Sequence, residues 1–347
     1  MSIAGRPIGM GQCPFVIAEM SGNHNQSLDR ALQIVDAAAD SGAHAIKLQT
    51  YTADTITLDI DHGEFVIDDS ESLWYGKTLH DLYDEAHTPW EWHEAIFSRA
   101  RERGIIPFST PFDETAVDFL EELDSPCYKI ASFELVHLPL IRKVAATGKP
   151  IIMSTGMATL EEIQEAVDAV RAAGCDQPVL LKCTSSYPAT PENSNLATIP
   201  HMRERFGCEV GLSDHTLGIG VAVASVALGA TVIEKHFTLD RAEGGVDAAF
   251  SMEPDEMRQL VAETERAWQA LGEVSYGPTA AEKPSLQFRR SLYVAEDMKA
   301  GDELTQRNLR VVRPGFGLPP KHYEELLGKH VNRDVAKGTA LSWEFVE

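Results

Sequence analysis

With 53 Asp and Glu against 30 Lys and Arg, this 347-residue chain carries a formal charge of −23, which argues against nucleic-acid backbones and anionic membranes as general partners. Hydrophobic residues make up 44% and charged residues 24%, the composition of a soluble globular chain long enough for two domains. No window approaches the ~18 uninterrupted apolar residues of a spanning helix, and the opening MSIAGRPIGMGQ has no signal-peptide core.

From Phe15 onward, short apolar runs alternate with amphipathic stretches. The runs are FVIAEM from Phe15, HAIKLQ from His44, IIPFST from Ile105, CYKIAS from Cys127, PIIMST from Pro150, VLLKCT from Val179, CEVGLS from Cys208 and TVIEKH from Thr231. Between them, TLEEIQEAVDAVRAAG has capping-box spacing at Thr159 and Glu162, an apolar stripe from Ile163 to Val170, and Gly174 as a stop. TPWEWHEAIFSRARERG predicts a helix with Thr88 as N-cap, Pro89 in the first turn and Glu91 closing the box. Eight strands alternating with helices predict a (β/α)8 TIM barrel over residues 1–275, with its active site at the strand C-termini. A doubly wound open sheet competes, but no G-x-G-x-x-G follows the first strand.

Residues 51–87 form an insertion too long for a plain βα loop, on the face where loops touch substrate. The aromatic run WYGKTLHDLYDEAHTPWEW offers a sugar-stacking surface or ordinary core residues. After a linker at 276–288, short alternating segments punctuated by AGD, RPGFGLPP and KGT predict a small β-rich domain over 289–347. The five cysteines (Cys13, Cys127, Cys175, Cys183, Cys208) are odd in number and dispersed, which favours reduced thiols in a cytoplasmic protein.

In a barrel, the strand ends would bring together Glu19, Lys47, Gln49, Thr110, Lys129, Ser132, Ser154, Lys182, Ser185, Ser213, Asp214, His215, Glu234, Lys235 and His236. Lys47 and Lys129 sit inside apolar runs, where a buried ammonium costs several kcal/mol unless an anion compensates it. That anion is either a carboxylate of the protein, Glu19 or Glu134, or a ligand. With the serines as neutral donors, the set suits a phosphate and a carboxylate on one small molecule. His215 and His236 end adjacent strands, ~4.8 Å apart, and can converge on one ion beside Glu19, Glu234 and Asp247. Rim histidines bonded only to their neighbours are the plainer reading.

The segments AEMSGNHNQSL, IKLQTYTADT, YKIASFE, MSTGMAT, CTSSYPA, GLSDHT and EKHFTLDR resemble the sialic acid synthase family, and RRSLYVAEDMKAGDELTQRNLRVVRPGFGL resembles its antifreeze-like (SAF) domain. The resemblance implies condensation of phosphoenolpyruvate with the open-chain form of an N-acylated amino sugar, with release of phosphate. SGNHN, the aromatic run and GGVDAAFSMEP resemble the branch whose sugar is 2,4-diacetamido-2,4,6-trideoxy-L-altrose, the N-acetylneuraminate and legionaminate branches being alternatives. By position it implies a divalent metal, Mn2+ or Mg2+, on His215 and His236. A phosphoenolpyruvate cradle of Lys47, Thr110, Lys129, Ser132, Ser154, Ser185 and Ser213 follows in the same way, with Glu19, Lys47 and Lys129 as catalytic groups. Gln49, Tyr187 and Asp247 fall on the sugar side, and Glu134 joins the substrate-binding set. Where the sialic acid branch has Asn this chain reads TSSYP, so Ser185 or a neighbour takes that place. Arg313 matches an arginine that reaches the partner subunit's site, which implies a domain-swapped homodimer. A noncatalytic carbohydrate- or ice-binding protein is the reading from another class.

Overall fold

The computed structural model describes residues 1–347, which divide into two compact units, Met1–Gly272 and Glu273–Glu347. In the first, eight strands form a closed barrel: β1 (Phe15–Glu19), β2 (Ala45–Thr50), β3 (Ile106–Pro111), β4 (Tyr128–Ile130), β5 (Ile151–Ser154), β6 (Val179–Cys183), β7 (Glu209–Ser213) and β8 (Val232–His236). Each pairs in parallel with the next, and β8 closes on β1 with His236 opposite Glu19. The expected strands are therefore all present, with β2 and β3 shifted by one residue and the others shortened by one to three residues at their ends.

Alternation along the strands separates two cores. Phe15, Ile17, Ala45, Phe108, Ile152, Val179, Leu181 and Val232 face inward and fill the barrel. Val16, Ala18, Ile46, Leu48, Ile130, Met153, Leu180 and Ile233 face the helices. Gly211 is needed where β7 and β8 crowd, since a Cβ there would lie 2.2 Å from the Val232 carbonyl oxygen. A hairpin of Ser2–Ile3 and Arg6–Pro7 closes the N-terminal end, with Ile3 and Ile8 joining the interior core.

Eight principal helices follow the strands: α1 (Leu28–Asp40), α2 (His93–Glu102), α3 (Glu114–Glu122), α4 (Leu138–Ala145), α5 (Leu160–Ala172), α6 (Thr198–Phe206), α7 (Gly220–Ala227) and α8 (Pro254–Leu271). The α5 capping box forms as its spacing predicts, Glu162 N to Thr159 Oγ1 3.2 Å and Thr159 N to Glu162 Oε2 2.7 Å. The α2 start differs. Thr88 is buried and bonds His24 Nε2 at 3.2 Å, Trp90–Trp92 make a 3-10 turn, and α2 begins only at His93. The Thr88 hydroxyl is therefore spent on a buried imidazole, not on a cap.

The insertion after β2 holds two short helices, Ala53–Ile56 and Leu79–Ala86. Its aromatic run divides in function. Trp90 stacks on Phe119 at 4.7 Å and Trp92 meets His24 edge-on at 5.6 Å, both as packing, whereas Trp74 lies 6.2 Å from Tyr187. No helix is long and apolar enough to cross a membrane, and all five cysteines are free.

The second unit has its own core of Leu292, Val294, Met298, Leu304, Leu309, Leu326, Val331, Val335 and Leu341. Its regular β-structure is one antiparallel pair, β9 (Ser291–Val294) with β10 (Leu309–Val312). The remaining expected segments make isolated bridges such as Met298 with Val335 and Val331 with Val346, because turn residues interrupt them before a ladder can extend.

Candidate active site

At the C-terminal end of the barrel the inward positions change from apolar to charged. Glu19 and Lys47, on neighbouring strands, form a buried ion pair (Oε2 to Nζ 2.7 Å), and Lys47 Nζ also donates to Thr110 Oγ1 at 3.3 Å. Lys129 on β4 reaches across the barrel to Glu234 on β8, Nζ to Oε1 2.7 Å, and the same oxygen accepts from Ser213 at 3.1 Å and lies 3.8 Å from Lys47. The two buried lysines are thus compensated within the protein. Lys129 takes Glu234 as its partner, not the Glu134 considered from sequence, because Glu234 shares the inward parity of β8 with His236.

The two carboxylates have different protonation tendencies. Burial raises the pKa of Glu19 above its ordinary 4.5, and the nearby Glu234 adds to the rise that Lys47 opposes. Burial also works against ionised Glu234, but Lys129 and Lys47 overcome it and hold that carboxyl at about 2. One carboxyl stays charged while its neighbour can hold a proton, the division of labour an acid–base site needs.

Beside this network, Ser132 Oγ and Ser185 Oγ are 2.8 Å apart, and Ser154 Oγ is buried without a partner. Gly156, at φ +46°, keeps the space between them open: a Cβ there would sit 2.4 Å from Ser132 Cβ and 2.7 Å from Ser185 Oγ. In TSSYP it is Ser185 that meets this cradle, while the exposed Ser186 bonds the Pro188 carbonyl. Hydroxyls, a glycine without a Cβ and two buried lysines are a donor set that suits a small dianion.

The histidines stand at the next sector of the rim. The rings of His215 and His236 are 5.3 Å apart, with Tyr187 4.5 Å from the first and Phe250 4.9 Å from the second. His215 Nδ1 bonds the Thr184 carbonyl at 2.9 Å, and its ring also pairs with the Cys183 thiol, a contact that raises the His215 pKa against the effect of burial. Burial, with His215 and the lysines nearby, drives the pKa of His236 well below 6.5, so its imidazole is neutral, and its buried Nδ1 has no hydrogen-bond partner. Asp247 Oδ2 lies 3.7 Å from that nitrogen. No cluster of three or more His, Cys, Asp or Glu side chains forms a closed metal cage. The unpartnered nitrogen of neutral His236, with the His215 ring beside it, fits an open divalent site that keeps positions for water and substrate once His215 exchanges the Cys183 thiol for the ion.

Gln49 Nε2 donates to Glu19 Oε1 at 3.0 Å, which links the sugar-side candidates to the charged network. Glu134 is mostly buried with Oε2 unpartnered, and burial raises its pKa to about 7. Arg313 lies in the second unit, exposed in the turn after β10.

Two rim lysines face the other way. Lys235 Nζ donates to Asp214 Oδ2 (2.8 Å) and to the carbonyls of Thr216 (2.6 Å) and Gly218 (3.0 Å), so it anchors the turn that carries His215. Lys182 Nζ bonds the Cys183 carbonyl at 2.7 Å. Strand parity excludes both from the interior and admits Cys183, which went unassigned from sequence along with Ser21, Gly156 and the pairing role of Glu234.

Residues 34–276 match the NeuB family and residues 289–347 the SAF domain. The chain belongs to the NeuB family. It is 44% identical over 327 residues to pseudaminic acid synthase of Campylobacter jejuni, which covers 94% of this chain and 95% of that protein. It is 36% identical to N,N'-diacetyllegionaminic acid synthase of Legionella pneumophila, over 99% of this chain and 97% of the other. Among solved structures, N-acetylneuraminic acid synthetase from Leptospira borgpetersenii superposes with a TM-score of 0.73 at 33% identity, over 83% of this chain and 95% of that one. In this NeuB family member the catalytic-end residues named above therefore sit in a barrel shared by synthases of several nonulosonic acids.

Proposed function

We propose that the chain is a phosphoenolpyruvate-dependent nonulosonic acid synthase, and specifically that it joins phosphoenolpyruvate to 2,4-diacetamido-2,4,6-trideoxy-L-altrose to give pseudaminate and phosphate. The observation that supports the reaction class is that the buried lysines, the serine hydroxyls and the imidazole pair share the C-terminal end of one barrel, with Lys47, Lys129 and His215 close enough to His236 to lower its pKa. The choice of sugar rests on the 44% identity to the Campylobacter pseudaminic acid synthase, against 36% to the Legionella legionaminate enzyme.

In this reading Lys47, Lys129, Thr110, Ser132, Ser154, Ser185 and Ser213 hold the phosphate and carboxylate, while Gln49, Glu134, Tyr187 and Asp247 hold the sugar. A divalent cation, Mn2+ or Mg2+, bound by His215 and His236 would polarise the sugar aldehyde. C3 of phosphoenolpyruvate forms the new bond to the aldehyde carbon, the aldehyde oxygen takes up a proton, and positive charge develops at C2. Water adds at C2 and gives up a proton, and the tetrahedral adduct expels phosphate by C–O cleavage. Glu19, buried and able to hold a proton, serves one of these transfers. Arg313 reaches the site of a partner subunit in a domain-swapped homodimer, and the free cysteines accord with a cytoplasmic enzyme.

The test is phosphate release with phosphoenolpyruvate and a panel of N-acylated sugars, with the product identified by mass. Release with the altrose derivative supports the assignment, and release with N-acetylmannosamine alone moves it to the neuraminate branch. No release with any sugar would favour a noncatalytic carbohydrate-binding protein.

A further inference from the structure

We propose that Ser21 is a positioning residue that aims the Asp247 carboxylate at a hydroxyl or acetamido N–H of the sugar, and so helps to decide which amino sugar is accepted. The sugar role rests on the reaction proposed above; the geometry stands without it.

Ser21 stands two residues beyond the end of β1, is 3% exposed and has φ +47°. That left-handed backbone is strained for a residue with a side chain and free for glycine. The strained serine brings its hydroxyl between two groups of the site. It accepts from Gln49 Nε2 at 3.1 Å and donates to Asp247 Oδ2. The same Gln49 amide donates to Glu19, so an unbroken row runs Glu19, Gln49, Ser21, Asp247. Because Gln49 occupies the serine oxygen as donor, the serine proton is committed to Asp247, and the direction of that carboxylate is set.

Holding the loop is a separate task with other fastenings. Asn23 Nδ2 bonds the Phe237 carbonyl (3.0 Å) and Ser251 Oγ (2.8 Å), and Ser251 Oγ in turn donates to the Asp247 carbonyl at 2.7 Å. Asn25 Nδ2 bonds the Gly244 carbonyl at 3.2 Å, and Trp74 Nε1 bonds that of Val246 at 3.1 Å. The Asn25, Trp74 and Ser251 contacts act on backbone between Gly244 and Asp247, while Asn23 ties the end of β8 to Ser251. Ser21 differs in that its side chain grips the carboxylate itself, next to the Gly22 backbone N–H that also reaches it, so its loss removes one of the two holds on that group and leaves the loop fastenings in place.

The experiment compares wild type, Ser21→Ala and Ser21→Gly in steady-state kinetics with each sugar of the panel and with phosphoenolpyruvate, alongside hydrogen–deuterium exchange over residues 243–251. Both variants should raise the sugar KM by about tenfold or more, the worth of one hydrogen bond, while the phosphoenolpyruvate KM stays within about twofold. Exchange over the loop should be unchanged, and Ser21→Gly should melt no lower than wild type because glycine relieves the backbone. Sugar KM values within about twofold of wild type would overturn the proposal, as would an equal rise in both KM values. Faster loop exchange in both variants would overturn it too, making Ser21 a fastening and not an aiming device. A wild type inactive with every sugar would instead sink the proposed reaction, which separates the two failures.

Discussion

Lys129 and Glu234 join opposite sides of the barrel, from strands four places apart in a ring of eight, through a contact of 2.7 Å that is almost wholly buried. Removing one partner of such a pair strands the other charge, at a cost of ~3–5 kcal/mol. Glu234→Gln should therefore lower the urea midpoint markedly, and added phosphoenolpyruvate should recover part of the loss by bringing an anion to Lys129. A variant as stable as wild type would show that Lys129 loses its proton readily when Glu234 is gone.

Glu19→Gln keeps the shape of the side chain and its contact with Gln49 while removing the exchangeable proton. Phosphoenolpyruvate affinity by calorimetry should not fall, because its anion can take the place of Glu19 beside Lys47, and kcat should fall by ~10²–10⁴, the usual contribution of a general acid or base. Near-normal turnover would take Glu19 out of the proton transfers.

Glu134 predicts a specific pH dependence. Its pKa is raised by burial from 4.5 to about 7, so the folded chain holds a proton that the unfolded chain has lost in that window. The associated stability is fully present below pH 4.5 and disappears as pH rises through about 7. Glu134→Gln should flatten the decline of the denaturation midpoint between those limits; parallel profiles for the two proteins would refute the assignment.

For the imidazole pair, exhaustive chelation should abolish phosphate release, with Mn2+ or Mg2+ restoring it. His215→Ala and His236→Ala should each weaken binding of Mn2+ in the absence of substrate by one to several orders of magnitude. Activity indifferent to chelation would leave both rings as packing around Tyr187 and Phe250.

The swapped dimer is tested by mixing two inactive chains, Arg313→Ala and Glu19→Gln, under conditions of subunit exchange. A mixed dimer would contain one site with both native residues, so up to about a quarter to a half of the activity should return. No recovery despite proven exchange would assign each active site to a single chain.

The barrel was legible because its strands are apolar on both faces and its helices carry stop signals such as Gly174, a pattern few other folds produce. The site was legible where a charged residue interrupts an apolar run, as at Lys47 and Lys129. What stayed hidden depends on direction. Lys235 and Glu234 are neighbours in sequence, and only the inward parity of Val232 and His236 tells that Glu234 enters the mouth while Lys235 anchors the turn under His215. Thr88 was misread because its competing partner, His24, lies 64 residues away along the chain. The antiparallel tail was harder still, since residues that only bridge locally leave almost the same alternation as true strands.

The N-terminal hairpin, with Ile3 and Ile8 sealed against Phe15 and Val232, turns the barrel into a vessel with one opening. The residues proposed for the three-carbon acid stand largely on strands, whereas those proposed for the sugar, Tyr187 and Asp247, belong to the loops that follow β6 and β8. Under the proposed reaction, that layout calls for the smaller reactant to enter first.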